Sequence, residues 1–209
     1  MEIDPELLEK ILMNVEKPIR YVGGEWNAII KRHDDVDVKV LLAFPDTYEI
    51  GMSHLGLRIL YSILNSRDDV VCERTFMPWV DMYDAMRRAR LPLYSLESRV
   101  PAKDFDIIGF SLQYELSYTN VLAMLDLAGI PHLTSSRDES HPLVIAGGPS
   151  VYNPEPIADF IDAILIGEGE EAILEIVDVY KEGKAKGISR SKLLQSLAEI
   201  PGVYVPSFY

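Results

Sequence analysis

From Val38 onward the chain alternates short apolar runs with stretches whose apolar residues recur at helical spacing. The runs Val38–Phe44, Val70–Thr75, Phe105–Leu112, Leu143–Ala146 and Ala163–Ile166 each carry adjacent apolar residues, which predicts strands buried on both faces. Between the first two, Ile59, Leu60, Ile63 and Leu64 share one helical face, with Ser53 placed to cap that helix. Tyr118, Val121, Leu122 and Leu125 predict a helix after the third run, stopped by Gly129 and Pro131. Ile173, Ile176, Val177 and Tyr180 predict another after the fifth, and a last helix near Ser191–Ala198 precedes a Pro201-Gly202 turn.

Strands that alternate with helices pair in parallel, because each crossover carries the chain back to the same end of the sheet. The fold class is therefore α/β: a doubly wound, flavodoxin-like (Rossmann-like) five-stranded parallel sheet, with strand order 2-1-3-4-5. Residues 1–36 read as an N-terminal helical appendage, in which Asp4 caps a short helix, Pro5 takes its first position and Pro18 follows its end. Residues 37–185 form the sheet domain, and residues 186–209 a C-terminal helix and linker. The closing stretch Val203–Tyr209 is apolar and has no obvious partner of its own.

Composition narrows the function. The longest apolar runs are strand-length and cannot cross a bilayer, and the acidic start Met1-Glu-Ile-Asp-Pro-Glu6 is no secretory signal, so a cytoplasmic protein is expected. One cysteine, Cys72, can supply neither an iron-sulfur triad nor a cysteine-rich zinc site. A net charge of −13 repels a phosphate backbone, which argues against nucleic acid as a partner of this domain. Arg87, Arg88 and Arg90 read as a solvated helix face beside Asp81 and Asp84.

Ligands of doubly wound sheets sit beyond the carboxyl ends of the strands, so four loops carry the functional argument. The first holds Asp46, Tyr48, Gly51, Ser53 and Gly56, which either meet a ligand or serve a tight turn and a helix cap. His54, in the same loop, reads as a surface or packing residue rather than a metal ligand. Ser111, Gln113, Tyr114 and Glu115 emerge together at the end of the third run; they hydrogen-bond a polar cofactor, or Ser111 or Ser117 caps the next helix. Gly147, Gly148 and Pro149 follow the fourth run, where absent Cβ atoms let either a flat ligand or a tight turn approach the backbone. Gly167, Glu168 and Gly169 follow the fifth; GxGxxG is not satisfied and the glutamates oppose a pyrophosphate. Glu170 and Glu171 suit the first turn of the next helix. No Walker loop, HExxH helix or serine-histidine-aspartate order is present, so the chain alone is not expected to be a catalyst.

Several strings, taken in order, carry a resemblance: Tyr21-Val-Gly-Gly-Glu-Trp-Asn27, Phe44-Pro-Asp-Thr-Tyr-Glu-Ile-Gly-Met-Ser-His-Leu-Gly56, Phe105-Asp-Ile-Ile-Gly-Phe-Ser-Leu-Gln-Tyr-Glu115, Ala146-Gly-Gly-Pro149, Asn153-Pro-Glu-Pro156 and Gly167-Glu-Gly-Glu170. Together they resemble the N-terminal domains of cobalamin-binding-type radical S-adenosylmethionine (SAM) proteins, in particular a bacterial subgroup. The resemblance implies a cobalamin (vitamin B12)-binding-like domain that precedes a C-terminal radical SAM domain of the parent chain. That second domain would carry the three cysteines, the [4Fe-4S] cluster and S-adenosylmethionine. Many cobalamin domains have DxHxxG after the first strand; Gly51-Met-Ser-His-Leu-Gly56 has neither the aspartate nor the spacing. Cobalamin bound base-off, without a histidine ligand, is the form this departure implies. The rival reading is a non-catalytic docking or substrate-positioning domain of the same fold that has lost cobalamin, its carboxyl edge flat or filled by Tyr48, Tyr114 and Tyr152.

Overall fold

The computed structural model describes residues 3–209; Met1 and Glu2, the start of the expected appendage, lie outside the described residues. Strands β1 (Val38–Phe44), β2 (Val70–Phe76), β3 (Ile107–Ser111), β4 (Leu143–Gly147) and β5 (Ala163–Leu165) pair in parallel in the order β2-β1-β3-β4-β5. The helices are α1 (Pro5–Leu12), α2 (Tyr48–Ser53), α3 (Leu55–Asn65), α4 (Val80–Ala89), α5 (Tyr118–Ala128), α6 (Gly169–Lys186) and α7 (Arg190–Leu197).

β1 lies at the centre of the architecture, paired with β2 on one side and β3 on the other and buried at every position but Lys39. Its residues divide between two cores by the alternation of a strand. Val38, Val40 and Leu42 pack with α3, α6 and α7, whereas Leu41 and Ala43 pack with α1, α4 and α5. The doubly wound expectation is thus met. Between β4 and β5 the chain makes two 3₁₀ turns, Pro149–Tyr152 and Glu155–Phe160, whose Val151 and Ile157 are buried. Among the described residues no helix is long and apolar enough to cross a membrane.

A sixth strand, β6 (Val203–Tyr204), was not evident from the sequence. It pairs antiparallel with β5, Leu165 opposite Val203 and Ile164 opposite Tyr204, so the closing apolar stretch does have a partner. Two residues are too few for periodicity to register. Gly202, at φ +84°, makes the turn, and its carbonyl accepts a 2.8 Å hydrogen bond from Ile166 N–H.

The opposite edge of the sheet is also closed. Along the side of β2 away from β1, Lys31 Nζ donates to the Val70 carbonyl at 2.8 Å, and the Asn65 side chain both donates to and accepts from the Cys72 backbone. Arg74 N–H donates to Glu97 and the Arg74 carbonyl accepts from Leu96 N–H, each at 2.8 Å. Residues before the sheet help to seal this edge: His33 Nε2 stands 2.8 Å from the buried Glu73, while α1 sends Leu8 and Ile11 into the core as Asp4 caps its start.

Two ionic clusters tie loops to this frame. Asp162, at the start of β5, is buried and takes hydrogen bonds from Val144 N–H (2.7 Å), Arg137 (3.1 Å) and Arg190 (2.7 Å) on the same oxygen. Burial lowers the Arg137 pKa despite this carboxylate, which makes Asp162 the compensation for two guanidiniums. Its replacement by alanine leaves both cations without a counter-charge, and the Asp162→Ala variant should lose about 3–5 kcal/mol in urea denaturation. Near β2, Arg67 and Lys181 hold Asp69 well below the usual carboxylate range. Glu73 is also lowered: burial raises its pKa, but hydrogen bonds from His33, Ser95 and Ser98 outweigh that. Glu97 runs the other way, raised by burial despite Arg74. Because the folded pKa of Asp69 lies below its unfolded value, its contribution is complete above pH ~4 and fades as pH falls through the folded pKa. Asp69→Asn should therefore flatten the loss of stability below pH ~4, read as Tm against pH, relative to the unsubstituted chain.

Candidate functional site

Parallel pairing brings the loops after β1, β3, β4 and β5 to one edge, and between them lies a cavity of about 330 Å³. Its floor is the sheet itself: Leu42, Gly109, Ile145 and Leu165. Gly109 sits between Leu42 and Ile145 in the register, and a side chain there would project into the space those neighbours leave. The opposite wall is helical, with Leu57 and Leu60 from α3 and Ile173 and Ile176 from α6. Gly169 opens α6 close to Leu60, where an added Cβ would stand 3.3 Å from that side chain.

Nine residues singled out in the sequence line this space: Gly56, Ser111, Gln113, Gly147, Gly148, Pro149, Gly167, Glu168 and Gly169. Gln113 Nε2 donates to Ser111 Oγ at 3.1 Å, so this pair is oriented within the mouth. Gly148, at φ +113°, folds back so tightly that a Cβ would lie 2.5 Å from the Leu112 carbonyl.

Asp46, Tyr48, Gly51, Ser53, Tyr114 and Glu115 do not line the cavity. Asp46 accepts from Tyr114 Oη at 2.9 Å, which joins the first loop to the second and raises the phenol pKa. Tyr48 turns to Glu25 (3.1 Å) and stacks edge-on against Phe76; burial and that glutamate raise its pKa. Gly51 is a packing glycine under the Phe76 ring. Glu115 begins a 3₁₀ turn leading into α5. Ser53 is not the cap of α3 but the last residue of the separate α2, and its Oγ donates to the Glu49 carbonyl at 2.7 Å. Ser117 occupies the N-cap position of α5 but makes no side-chain cap bond, its Oγ donating to the Tyr114 carbonyl instead, and Ser111 lies outside that cap.

The cap of α3 is His54, which sequence reasoning had set aside. Its extended backbone breaks the helix, and Nδ1 accepts a 3.1 Å hydrogen bond from Leu57 N–H. The signal was the glycine two residues later: Gly56 leaves the ring room, for a Cβ there would stand 3.0 Å from His54 Cε1. An imidazole whose Nδ1 accepts has its proton on Nε2, so the neutral ring offers the cavity a donor and no lone pair.

Residues 56–206 match the family described as "Radical SAM proteins, N-terminal". The chain belongs to that family. This radical SAM N-terminal domain is also similar to the uncharacterized protein MJ0966 of Methanocaldococcus jannaschii, 27% identical over 143 residues that make up 66% of this chain and 26% of that protein. The chain thus spans about a quarter of the length of the curated relative it matches. No solved structure matches it. The matched region contains the loops after β3, β4 and β5 and the whole helical wall, and it begins at Gly56, just past the His54 cap.

The chemistry of this site is that of a largely apolar slot with a polar mouth. Among the described residues no lysine or arginine lines it, and Glu168 and Glu170 stand at its rim. Such a mouth opposes a phosphate-rich ligand and suits amides, hydroxyls and neutral rings. Among the described residues, no group of three or more His, Cys, Asp or Glu side chains could hold a metal ion. Because Gly148 meets the Leu112 backbone at positive φ, Gly148→Ala should cost about 2 kcal/mol or more. Gly129→Ala, at a helix end with open space around it, should cost about 1 kcal/mol; thermal denaturation of both variants checks the difference.

Proposed function

We propose that this accessory domain of a radical SAM protein holds cobalamin at the carboxyl edge of its sheet, base-off and without a histidine ligand. The observation that carries the reading is the open cavity of about 330 Å³, rimmed by loop glycines, where the four loops converge. That volume is too small for a corrin ring and matches a flat bicyclic base, the part of the cofactor that is free when it does not ligate cobalt. Gly147, Gly148 and Gly167 would let the cofactor approach the backbone, while Ser111, Gln113 and Glu168 would hydrogen-bond its amides and hydroxyls. Bound there, cobalamin supplies organometallic cobalt chemistry, and the protein supplies orientation and exclusion of water. The Nδ1 cap of His54 supports the base-off form, since it leaves no ring lone pair for cobalt.

The rival docking reading expects a flat or filled edge. Tyr48 and Tyr114 are instead engaged with Glu25 and Asp46, and Tyr152 is exposed, which favours the cofactor. The proposed partner is the C-terminal radical SAM domain of the parent chain, where the [4Fe-4S] cluster and S-adenosylmethionine would reside. Leu55, Trp79 and Leu116 are exposed on this same edge and would meet that domain, closing the cavity.

A visible-absorption titration with hydroxocobalamin tests the reading: a saturable shift to a base-off spectrum is expected, unchanged in form by His54→Ala. Gly109→Val fills the floor with a good strand former, so it should retain stability and weaken cobalamin binding at least about tenfold. Absence of any shift at high protein concentration would leave the docking reading in its place.

A further inference from the structure

The cofactor reading leaves one group of the cavity without a task. On the α3 side the lining is Gly56, Leu57, Leu60 and His54, so His54 is the one polar side chain of that wall among the described residues. Its ring is fixed three ways. Nδ1 accepts from Leu57 N–H at 3.1 Å, Phe44 packs against it with centroids 5.2 Å apart, and Gly56 provides the clearance beneath Cε1. The first of these sets the tautomer, so Nε2 carries the hydrogen in the neutral ring. No hydrogen bond joins Nε2 to any described residue, although the ring is half-buried beside apolar side chains.

We propose that His54 is the residue that selects the base of the cofactor: its Nε2–H donates to an in-plane ring nitrogen of a flat heteroaromatic group seated in the cavity. The inference rests on the cofactor reading above and deepens it. Walls of leucine and isoleucine discriminate a ring by shape alone, and shape does not separate a benzimidazole from a carbocyclic ring of similar size. A preset donor does, because a ring without an acceptor leaves that N–H desolvated and unpaired. The same nitrogen is the one that would otherwise coordinate cobalt, so it is free to accept this bond only in the base-off form. His54 then acts in cofactor recognition as a hydrogen-bond donor and not as a metal ligand.

The test compares three corrinoids on this chain by equilibrium titration: cobalamin, cobinamide, which has no nucleotide tail, and a cobamide whose tail is a phenolic ring lacking any ring nitrogen. Each is measured with the unsubstituted chain and with His54→Asn. Asparagine is a strong N-cap, so the variant keeps the bond to Leu57 N–H and the start of α3 while removing the ring donor. Circular dichroism and Tm verify that it folds. His54→Asn should weaken cobalamin binding by about five- to tenfold while leaving the affinities for the phenolic cobamide and cobinamide unchanged, a comparison in which the cost of freeing the base from cobalt cancels. A cobalamin affinity that His54→Asn leaves unchanged overturns the role of His54 and leaves the cofactor reading standing. So does a loss of the same size for all three corrinoids. Failure of all three corrinoids to bind overturns the cofactor reading and this inference with it.

Discussion

Parallel pairing across five strands is the constraint from which the rest of this structure follows. It obliges every crossover to return on a face of the sheet, which buries both faces and makes β1 apolar almost throughout. It also delivers the loops after β1, β3, β4 and β5 to one edge, however far apart they lie in the chain. Gly56, Ser111, Gly148 and Glu168 come from four different connections of the chain, yet all meet the same cavity. The sheet is therefore both the stable element and the device that assembles the site.

Where the fold was legible in the sequence, a local pattern matched the structure that burial required. Val38–Phe44 is an apolar run broken only by Lys39 and is the strand observed, and Gly129 adopts the left-handed conformation expected of a helix stop. Where it was not legible, the deciding partner was remote. Asp162 looks like any surface aspartate until Arg137 and Arg190 reach it, and Glu73 is tolerated inside only because His33 and Ser98 converge on it. The site divides in the same way. Most of the loop glycines that clear space were readable, since a missing Cβ acts where it stands, but Gly109 was not, because it lies inside a strand run, and Gly51 turned out to pack under Phe76. Asp46, Tyr48 and Tyr114 were not, since a polar side chain at the right edge can turn to a neighbour instead of a ligand. His54 and Ser53 exchange their expected roles because one residue of extended backbone separates α2 from α3.

The cavity exists because side chains were withheld from a sheet that would gain stability from them. Glycine in a strand interior costs roughly 0.5–1 kcal/mol against alanine, and Gly109 adds the lost contacts with Leu42 and Ile145. Stability is recovered elsewhere. The segment before β1 ties itself to β2 through Lys31 and His33, and Leu193 and Leu197 of α7 complete the core beneath α6. The acidic character of the chain is local as well as global: Glu168 and Glu170 stand at the mouth, while Arg137 and Arg190 are committed to the interior.

With β2 bonded along its outer side by Lys31, Asn65, Leu96 and Glu97, and with β6 only two residues long and followed by Pro206, neither margin of the sheet offers a free ladder of backbone groups. A polypeptide that engages this domain finds little edge on which to contribute a strand. Recognition must then be read through side-chain shape and charge at the loop-bearing edge, where a single substitution can retune the fit without disturbing the scaffold.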